Sequence, residues 1–97
     1  MPNYKLTRAA EADINAISRY TLSQWSEEQA LLYVDGLLNA IQSLSHFHGL
    51  GQACPQIHPD YRRLAQGKHW IYYMAGNPDA ASILVVRILH QTANQAW

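Results

Sequence analysis

The sequence has little of what marks secreted, membrane-spanning or disordered proteins. Its 97 residues include one cysteine, Cys54, so no disulfide can form within the chain and a reduced, cytoplasmic protein is expected. No apolar run approaches the roughly 20 residues of a membrane helix, and the first residues lack the pattern of a secretory signal. Charged residues make up 14% and hydrophobic residues 48%, which excludes a disordered chain. We therefore expect one small domain over residues 1–97.

The formal net charge of zero hides an uneven distribution of charge along the chain. Residues 1–60 contain three lysines and arginines and six aspartates and glutamates. Residues 61–97 contain four lysines and arginines and one aspartate. Such asymmetry between the two parts of a chain indicates a charged partner. The functional surface is therefore expected in the basic C-terminal part.

The first half of the chain predicts a short strand and a helical hairpin. Residues 4–7 alternate as a strand does, and residues 8–23 and 27–45 show the periodicity of two amphipathic helices. Thr7 and Ser26 stand where N-caps are expected, because their hydroxyls can accept hydrogen bonds from the first amides of a helix. The apolar stripe of the second helix is expected to pack on a sheet; its residues are Ala30, Val34, Leu37, Ile41 and Leu44.

The second half predicts three strands that follow a loop. Residues 47–60 contain two glycines and two prolines and are predicted to be a loop. Strands are predicted over residues 61–65, 69–74 and 82–90, with turns at Gln66-Gly67-Lys68 and Gly76-Asn77-Pro78-Asp79. The predicted fold is thus α+β in the order β-α-α-β-β-β, with a helical hairpin on one face of a small, mainly antiparallel sheet.

Strict alternation along the last strand would place Arg87 among apolar side chains. One face would carry Leu84, Val86, Ile88 and His90, and the other Ile83, Val85, Arg87 and Leu89. A lone buried charge is costly, so Arg87 needs an acidic partner or a bound ligand. A salt bridge to a helix carboxylate is the preferred interpretation.

Four basic side chains are expected to lie near one another at strand ends of the meander: Arg62, His69, Arg87 and His90. Arg62 is the best single candidate for a contact residue, while Arg63, with the opposite parity, suits solvent or a partner. His69 and His90 suit either a general base pair or structural hydrogen bonds at a sheet edge. The aromatic cluster of Trp70, Tyr72 and Tyr73 suits the sheet core and a surface that a partner covers better than it suits stacking on bases.

Other clusters carry weaker chemistry. His46, His48 and His58 fit no common zinc spacing and lack neighbouring acidic or cysteine ligands, so no metal site is predicted. Cys54 has no neighbouring base in the sequence that would activate its thiol, so an unreactive thiol in a loop or in the core is the preferred interpretation.

Several short patterns, in this order, carry a resemblance to a known family. The N-terminal half contributes Tyr4-Lys5-Leu6-Thr7, Ala9-Ala10, Asp13-Ile14, Ile17, Tyr20, Trp25, Gln29-Ala30, Tyr33 and Leu37. The C-terminal half contributes Tyr61-Arg62, Gly67-x-His69-x-Ile71-x-Tyr73 and Arg87-Ile88-Leu89-His90. From Tyr4 to His90 the chain resembles the ParE-type toxins of the ParE/RelE superfamily of bacterial toxin–antitoxin pairs. It departs from the family pattern in its tail, residues 91–97, which lacks a Met-Asp pair.

The resemblance implies a toxin that inhibits DNA gyrase by stabilising its cleaved-DNA complex and is not itself an enzyme. It implies a hetero-oligomer with a ParD-like antitoxin, no cofactor, no membrane association and no sequence-specific DNA binding by the chain alone. Six residues are the candidates for contacts with the target or partner: Arg62, Arg63, His69, Tyr73, Arg87 and His90.

Two alternatives remain. A ribosome-dependent mRNA endonuclease of the RelE type would use Arg62, His69 and His90 for catalysis, because phosphodiester cleavage needs a phosphate clamp and a base. The tail, residues 91–97, contains neither arginine nor tyrosine, and the neutral net charge suits docking on ribosomal RNA poorly. An inactive domain that only binds antitoxin is the third possibility.

Overall fold

The computed structural model describes residues 4–76 and 82–93. Its elements along the chain are β1 (Tyr4–Leu6), α1 (Arg8–Gln24), α2 (Glu27–His46), a 3-10 turn (His48–Leu50), β2 (Gln52–Ala53), β3 (Arg62–Gln66), β4 (His69–Ala75) and β5 (Ile83–His90). The predicted helices and strands are all present, with each end within one residue of its predicted position. The turn predicted at Gly76-Asn77-Pro78-Asp79 lies, beyond Gly76, outside the described residues.

The prediction of a plain loop over residues 47–60 was wrong in part. This segment contains the 3-10 turn and β2, whose two residues pair with Arg62 and Arg63 at the start of β3. A strand of two exposed residues has no alternation of apolar side chains, so nothing in its sequence distinguishes it from loop.

The sheet has five strands in the order β1-β5-β4-β3-β2. β1 runs parallel to β5, and the other neighbouring strands are antiparallel. β1 lies at one edge of the sheet and β2 at the other, and the helical hairpin lies in the chain between them. The sheet is therefore mixed but mainly antiparallel, as predicted.

Both helices begin at the predicted caps. The Thr7 hydroxyl accepts a hydrogen bond from Ala10 N at 3.0 Å, and the Ser26 hydroxyl accepts one from Gln29 N at 3.2 Å. Each bond satisfies an amide that has no partner within its helix. Glu27 and Glu28 in the first turn of α2 add favourable charge at the positive end of the helix dipole.

The core lies between the two helices and one face of the sheet. Leu37, Ile41 and Leu44 of α2 have no exposed surface, and Ile71 and Tyr73 of β4 meet them from the sheet. The stripe predicted for α2 is buried as expected, except that Val34 is half-buried. No helix among the described residues is long and apolar enough to cross a membrane.

Strict alternation along β5 was wrong. Tyr72 pairs with Arg87 but Tyr73 pairs with Val85, so the register shifts at Val86. The extra residue of a β-bulge reverses the parity of every residue beyond it. Ile88 therefore joins Ile83 and Val85 in the core rather than lying opposite them.

Candidate functional site

A groove of about 430 Å³ opens between the second half of α1, the start of α2 and the turn end of the sheet. Ile17 lies among the apolar residues that line it, and its other walls combine aromatic and basic side chains: Tyr20, Trp25, Tyr33, Lys68, His69 and His90. Volumes of this order are typical of ligand pockets in proteins, and a few polar groups beside apolar walls are their usual lining.

Tyr33 joins α2 to the β3–β4 turn at the bottom of this groove. Its hydroxyl accepts a hydrogen bond from the backbone N of Lys68 at 3.0 Å and lies 2.5 Å from His69 Nδ1. Gly67, which has a φ of 58°, leaves room for the ring: a Cβ there would lie 2.7 Å from Tyr33 Cε1. The turn therefore needs glycine both for its backbone and for its contact with Tyr33.

His69 and His90 are cross-strand partners, and their ring centroids are 5.3 Å apart. Burial lowers the pKa of His69, and the neighbouring His90 lowers it further. The neutral ring at neutral pH can accept a hydrogen bond at Nδ1 from the Tyr33 hydroxyl, which itself accepts from Lys68 N. The His69 ring proton is then on Nε2.

Arg62 and Tyr73 lie at the opposite, loop end of the β3–β4 hairpin. Arg62 Nη2 donates to the carbonyl of Gly51, and the Tyr73 hydroxyl donates to the carbonyl of His48 at 2.5 Å. The same hydroxyl accepts from Gly51 N at 3.0 Å. Both side chains thus hold the segment that follows α2 against the sheet.

The expectation that Arg62 and Arg87 lie close to the two histidines was wrong for Arg62. In an antiparallel hairpin the start of one strand meets the end of the next, so Arg62 pairs with Tyr73 while His69 pairs with Gln66. Of the four predicted neighbours, the structure brings His69 and His90 together at one end and leaves Arg62 at the other.

Arg87 has the helix carboxylate that was predicted as its partner, although the bulge at Val86 removes Arg87 from the face of Ile83 and Val85 on which that prediction rested. Its Nε and Nη2 donate to the two carboxylate oxygens of Asp13 on α1 at 2.7 and 2.9 Å. The hydrogen bonds with Asp13 raise the pKa of Arg87 above its ordinary value. Asp13 also accepts from the backbone N of Ile88 at 2.9 Å, beyond the point where β1 ends. This bidentate pair therefore fixes α1 against β5.

Arg63 lies on the sheet face away from the helices, with its register partner Tyr72. Its guanidinium carbon is 4.0 Å from the centroid of the Trp70 ring, a cation–π arrangement. Tyr73 belongs to the core, as the core interpretation of the aromatic residues expected. Tyr72 is also fully buried but lies outside that core cluster, and Trp70 is half-buried.

Cys54 is fully buried, and burial raises the pKa of its thiol. The arginines beside it, Arg63 and Arg62, only oppose this shift. A protonated, enclosed thiol is inert, which is the interpretation that its sequence context favoured.

The sequence reasoning did not predict Tyr20, Trp25, Tyr33 or Lys68 as site residues. The amphipathic pattern of the helices could not assign a tyrosine beside the apolar stripe either to the core or to the surface. The available signals were Trp25, a large aromatic residue in the break between two helices, and Tyr20 and Tyr33, which belong to the family pattern.

Comparisons with known proteins all match most of the chain and all give the same family. The family model described as the ParE toxin of the type II toxin–antitoxin system parDE matches residues 4–94. The chain is 34% identical to Toxin ParE1 of Caulobacter vibrioides, over 97% of this chain and 94% of that protein. It is 36% identical to Toxin ParE1 of Mycobacterium tuberculosis, over 91% of this chain and 88% of that protein. It is 33% identical to Toxin ParE of Escherichia coli, over 94% of this chain and 86% of that protein.

A solved structure shares the fold. The chain is similar to a chain of the chromosomal ParDE toxin–antitoxin system from P. aeruginosa, with a TM-score of 0.75 and 24% sequence identity. The likeness covers 93% of this chain and 96% of that one.

Proposed function

Since this chain belongs to the ParE toxin family of type II toxin–antitoxin systems, we propose that it inhibits DNA gyrase by stabilising the cleaved-DNA complex of that enzyme. In this proposal the protein acts in the cytoplasm, catalyses no reaction itself and is held inactive in a hetero-oligomer with a ParD-like antitoxin.

The observation that carries the proposal is the match to the toxin family over residues 4–94. The positions of the basic side chains support the same mechanism. Arg62 and His69, the phosphate-binding and base candidates of a nuclease, lie at opposite ends of the β3–β4 ladder. Phosphodiester cleavage needs both groups at one phosphate, so this separation favours binding over catalysis.

The test uses purified protein with supercoiled DNA, gyrase and ATP. We expect cleaved or linear DNA to accumulate only when gyrase is present, and both free and ribosome-bound mRNA to stay intact. Site-specific cuts in mRNA at the ribosomal A site would contradict the proposal.

One observation favours the ribonuclease as a second candidate. Burial keeps the pKa of His69 below its ordinary value, so a neutral imidazole stands beside His90. Its Nδ1 can take a proton from a substrate where the substrate replaces the hydrogen bond from Tyr33. A base of this kind contributes about 10²–10⁴ in rate, so His69→Asn would abolish RNA cleavage if cleavage occurs. Under the gyrase proposal, no RNA cleavage is there to lose.

The six candidate contact residues divide by their surroundings. Arg62 and Tyr73 bind the backbone of the segment that follows α2, and Arg87 binds Asp13. His69 and His90 use Nδ1 within the fold but keep Nε2 for a partner, and Arg63 lies on the sheet face away from the helices. We assign the contacts with target or antitoxin to the remaining three, Arg63, His69 and His90, and an indirect role to the first three.

A charge reversal at Arg63 tests whether this residue contacts the antitoxin. The antitoxin is expected to be acidic, because the chain from residue 61 onward has an excess of basic residues. Arg63→Glu should slow antitoxin association at low salt and reduce its salt dependence. Arg8→Glu, an equal change of charge at an exposed position on α1, is the control. Equal association rates for the two variants would place the antitoxin elsewhere.

A further inference from the structure

The groove between the helical hairpin and the turn end of the sheet is lined by basic side chains and by no acidic side chain among the described residues. Three bases line it, Lys68, His69 and His90, and no aspartate or glutamate is among its described lining residues. A groove lined this way favours a partner group that carries negative charge.

The other walls of the groove are aromatic and continuous. Trp25 contacts Tyr33 edge-on with ring centroids 5.6 Å apart, and Tyr33 contacts His69 in the same way at 5.6 Å. Tyr20 is 66% and Trp25 38% exposed on the rim. Exposed aromatic surface beside a groove is typical of a site that a partner's apolar side chain covers.

We propose that this groove binds a segment of the antitoxin in which an apolar side chain packs on Trp25 and Tyr33 and a neighbouring carboxylate binds the His69–His90 pair, with uptake of a proton. The inference rests on the proposed function, since it takes the antitoxin as the partner, and it adds the chemistry of the contact and its dependence on pH.

The hydrogen bonds around the two rings leave one donor position on each. His69 Nδ1 is engaged by Tyr33, and His90 Nδ1 accepts from Thr92 N at 3.2 Å. The Nε2 atoms therefore remain for a ligand. The proton that His69 takes up goes to its Nδ1, where the Tyr33 hydroxyl changes from hydrogen-bond donor to acceptor. Protonated histidine gives a charge-assisted hydrogen bond to a carboxylate, which is about twice as strong as a neutral one.

The charged groups around His69 explain why the proton must arrive with the partner. Tyr33 of α2 faces His69 through its hydroxyl, whereas His90 of β5 and the Lys68 ammonium of the turn oppose a positive charge on His69. Asp13 of α1 is the carboxylate that favours protonation, but it is paired with Arg87. Burial and His90 outweigh it and lower the pKa of His69 in the toxin alone. A partner carboxylate beside His69 favours the charged form of its ring, so binding raises the pKa of His69 and takes up a proton.

A small probe tests the chemistry without the antitoxin. Indole-3-propionate carries an aromatic ring and a carboxylate, and indole-3-propionamide differs from it only in lacking the charge. In an NMR titration we expect the carboxylate to bind at least about threefold more tightly at about pH 6 than at about pH 8, while the amide shows no such change. The shifts should include the ring protons of His69 and His90. Equal pH dependence of the two probes would overturn the inference.

Calorimetry tests the same coupling with the antitoxin, taken as the chain encoded beside the toxin gene that rescues growth. Binding measured in two buffers of different ionisation enthalpy should show proton uptake near pH 7. His90→Gln and His69→Asn should each reduce the uptake. The asparagine keeps an acceptor near the position of Nδ1, so the contact with Tyr33 can persist. His46→Gln, an exposed histidine at the end of α2, is the matched control.

The outcomes separate this inference from the proposed function. Growth rescue with tight binding but no proton uptake would reject the inference and leave the toxin–antitoxin pair intact. Failure of any neighbouring chain to rescue growth would count against the proposed function, while the indole probes would still decide the groove. Self-association of the free toxin that His90→Gln abolishes would assign the groove to a second copy and overturn the proposal.

Discussion

The two ends of the β3–β4 hairpin use the same chemistry and differ in what covers them. At the loop end, Tyr73 and Arg62 hold the backbone of His48 and Gly51. At the turn end, Tyr33 holds Lys68 and His69, and a groove remains open beside them. A tyrosine next to a base is thus structural where a loop folds back over it, and available to a partner where two helices leave a gap.

The largest expected effect concerns the core that both ends share. Leu37 has no exposed surface, and Leu37→Ala should cost about 2–5 kcal/mol of unfolding free energy, because it removes apolar contacts and leaves a cavity. Urea denaturation measures the loss. Leu31→Ala is the control on the same helix, since Leu31 is 58% exposed and should change stability by less than about 0.5 kcal/mol. Similar midpoints for the two variants would mean that α2 does not pack as described.

The next effect concerns the loop end. Tyr73→Phe removes the hydroxyl that bonds both Gly51 N and the His48 carbonyl, and the buried amide is left without a partner. The expected cost is about 1–3 kcal/mol in urea denaturation, whereas antitoxin affinity should change little once the variant is folded. A large loss of affinity with unchanged stability would give the loop end a direct contact role.

The turn end should respond in the opposite way. Tyr33→Phe removes hydrogen bonds to Lys68 N and His69, but Lys68 is exposed and water can replace the lost partner. A smaller cost of about 0.5–1.5 kcal/mol is expected. Antitoxin affinity, measured by calorimetry, should fall because His69 loses the contact that orients its ring. If Tyr73→Phe and Tyr33→Phe affect affinity equally, the contrast between the two ends fails.

The smallest expected effect is on the pH dependence of stability. The pKa of His69 is lower in the folded protein than in the unfolded chain, so the unfolded chain binds more protons as the pH falls. The contribution of His69 is present above its ordinary pKa of about 6.5 and is lost as the pH falls through the folded pKa. Urea midpoints at about pH 7.5 and pH 5.5 should therefore differ more for the native chain than for His69→Asn. An equal difference would remove His69 as the source.

The fold could be predicted from local patterns, and the site only in part. Thr7, Ser26 and the α2 stripe carry strong helical signals, and the family pattern contains His69 and His90 at the correct spacing. The bulge at Val86 could not be predicted, because an extra residue leaves the composition of a strand unchanged while reversing its faces. The groove could not be predicted either, because it exists only where Trp25 and Tyr33 from the hairpin meet the strand ends.

The position of Asp13 beside β5 affects whether the toxin aggregates at high concentration. β1 pairs with β5 only as far as Val85, so the following residues of β5 would present an unpaired sheet edge. The Thr7 hydroxyl donates to the Val86 carbonyl at 2.7 Å, and Asp13 takes the amide of Ile88. A strand from another molecule therefore finds these groups already bonded and meets a carboxylate in its path. The start of α1 thus protects this edge from the strand addition that leads to aggregation.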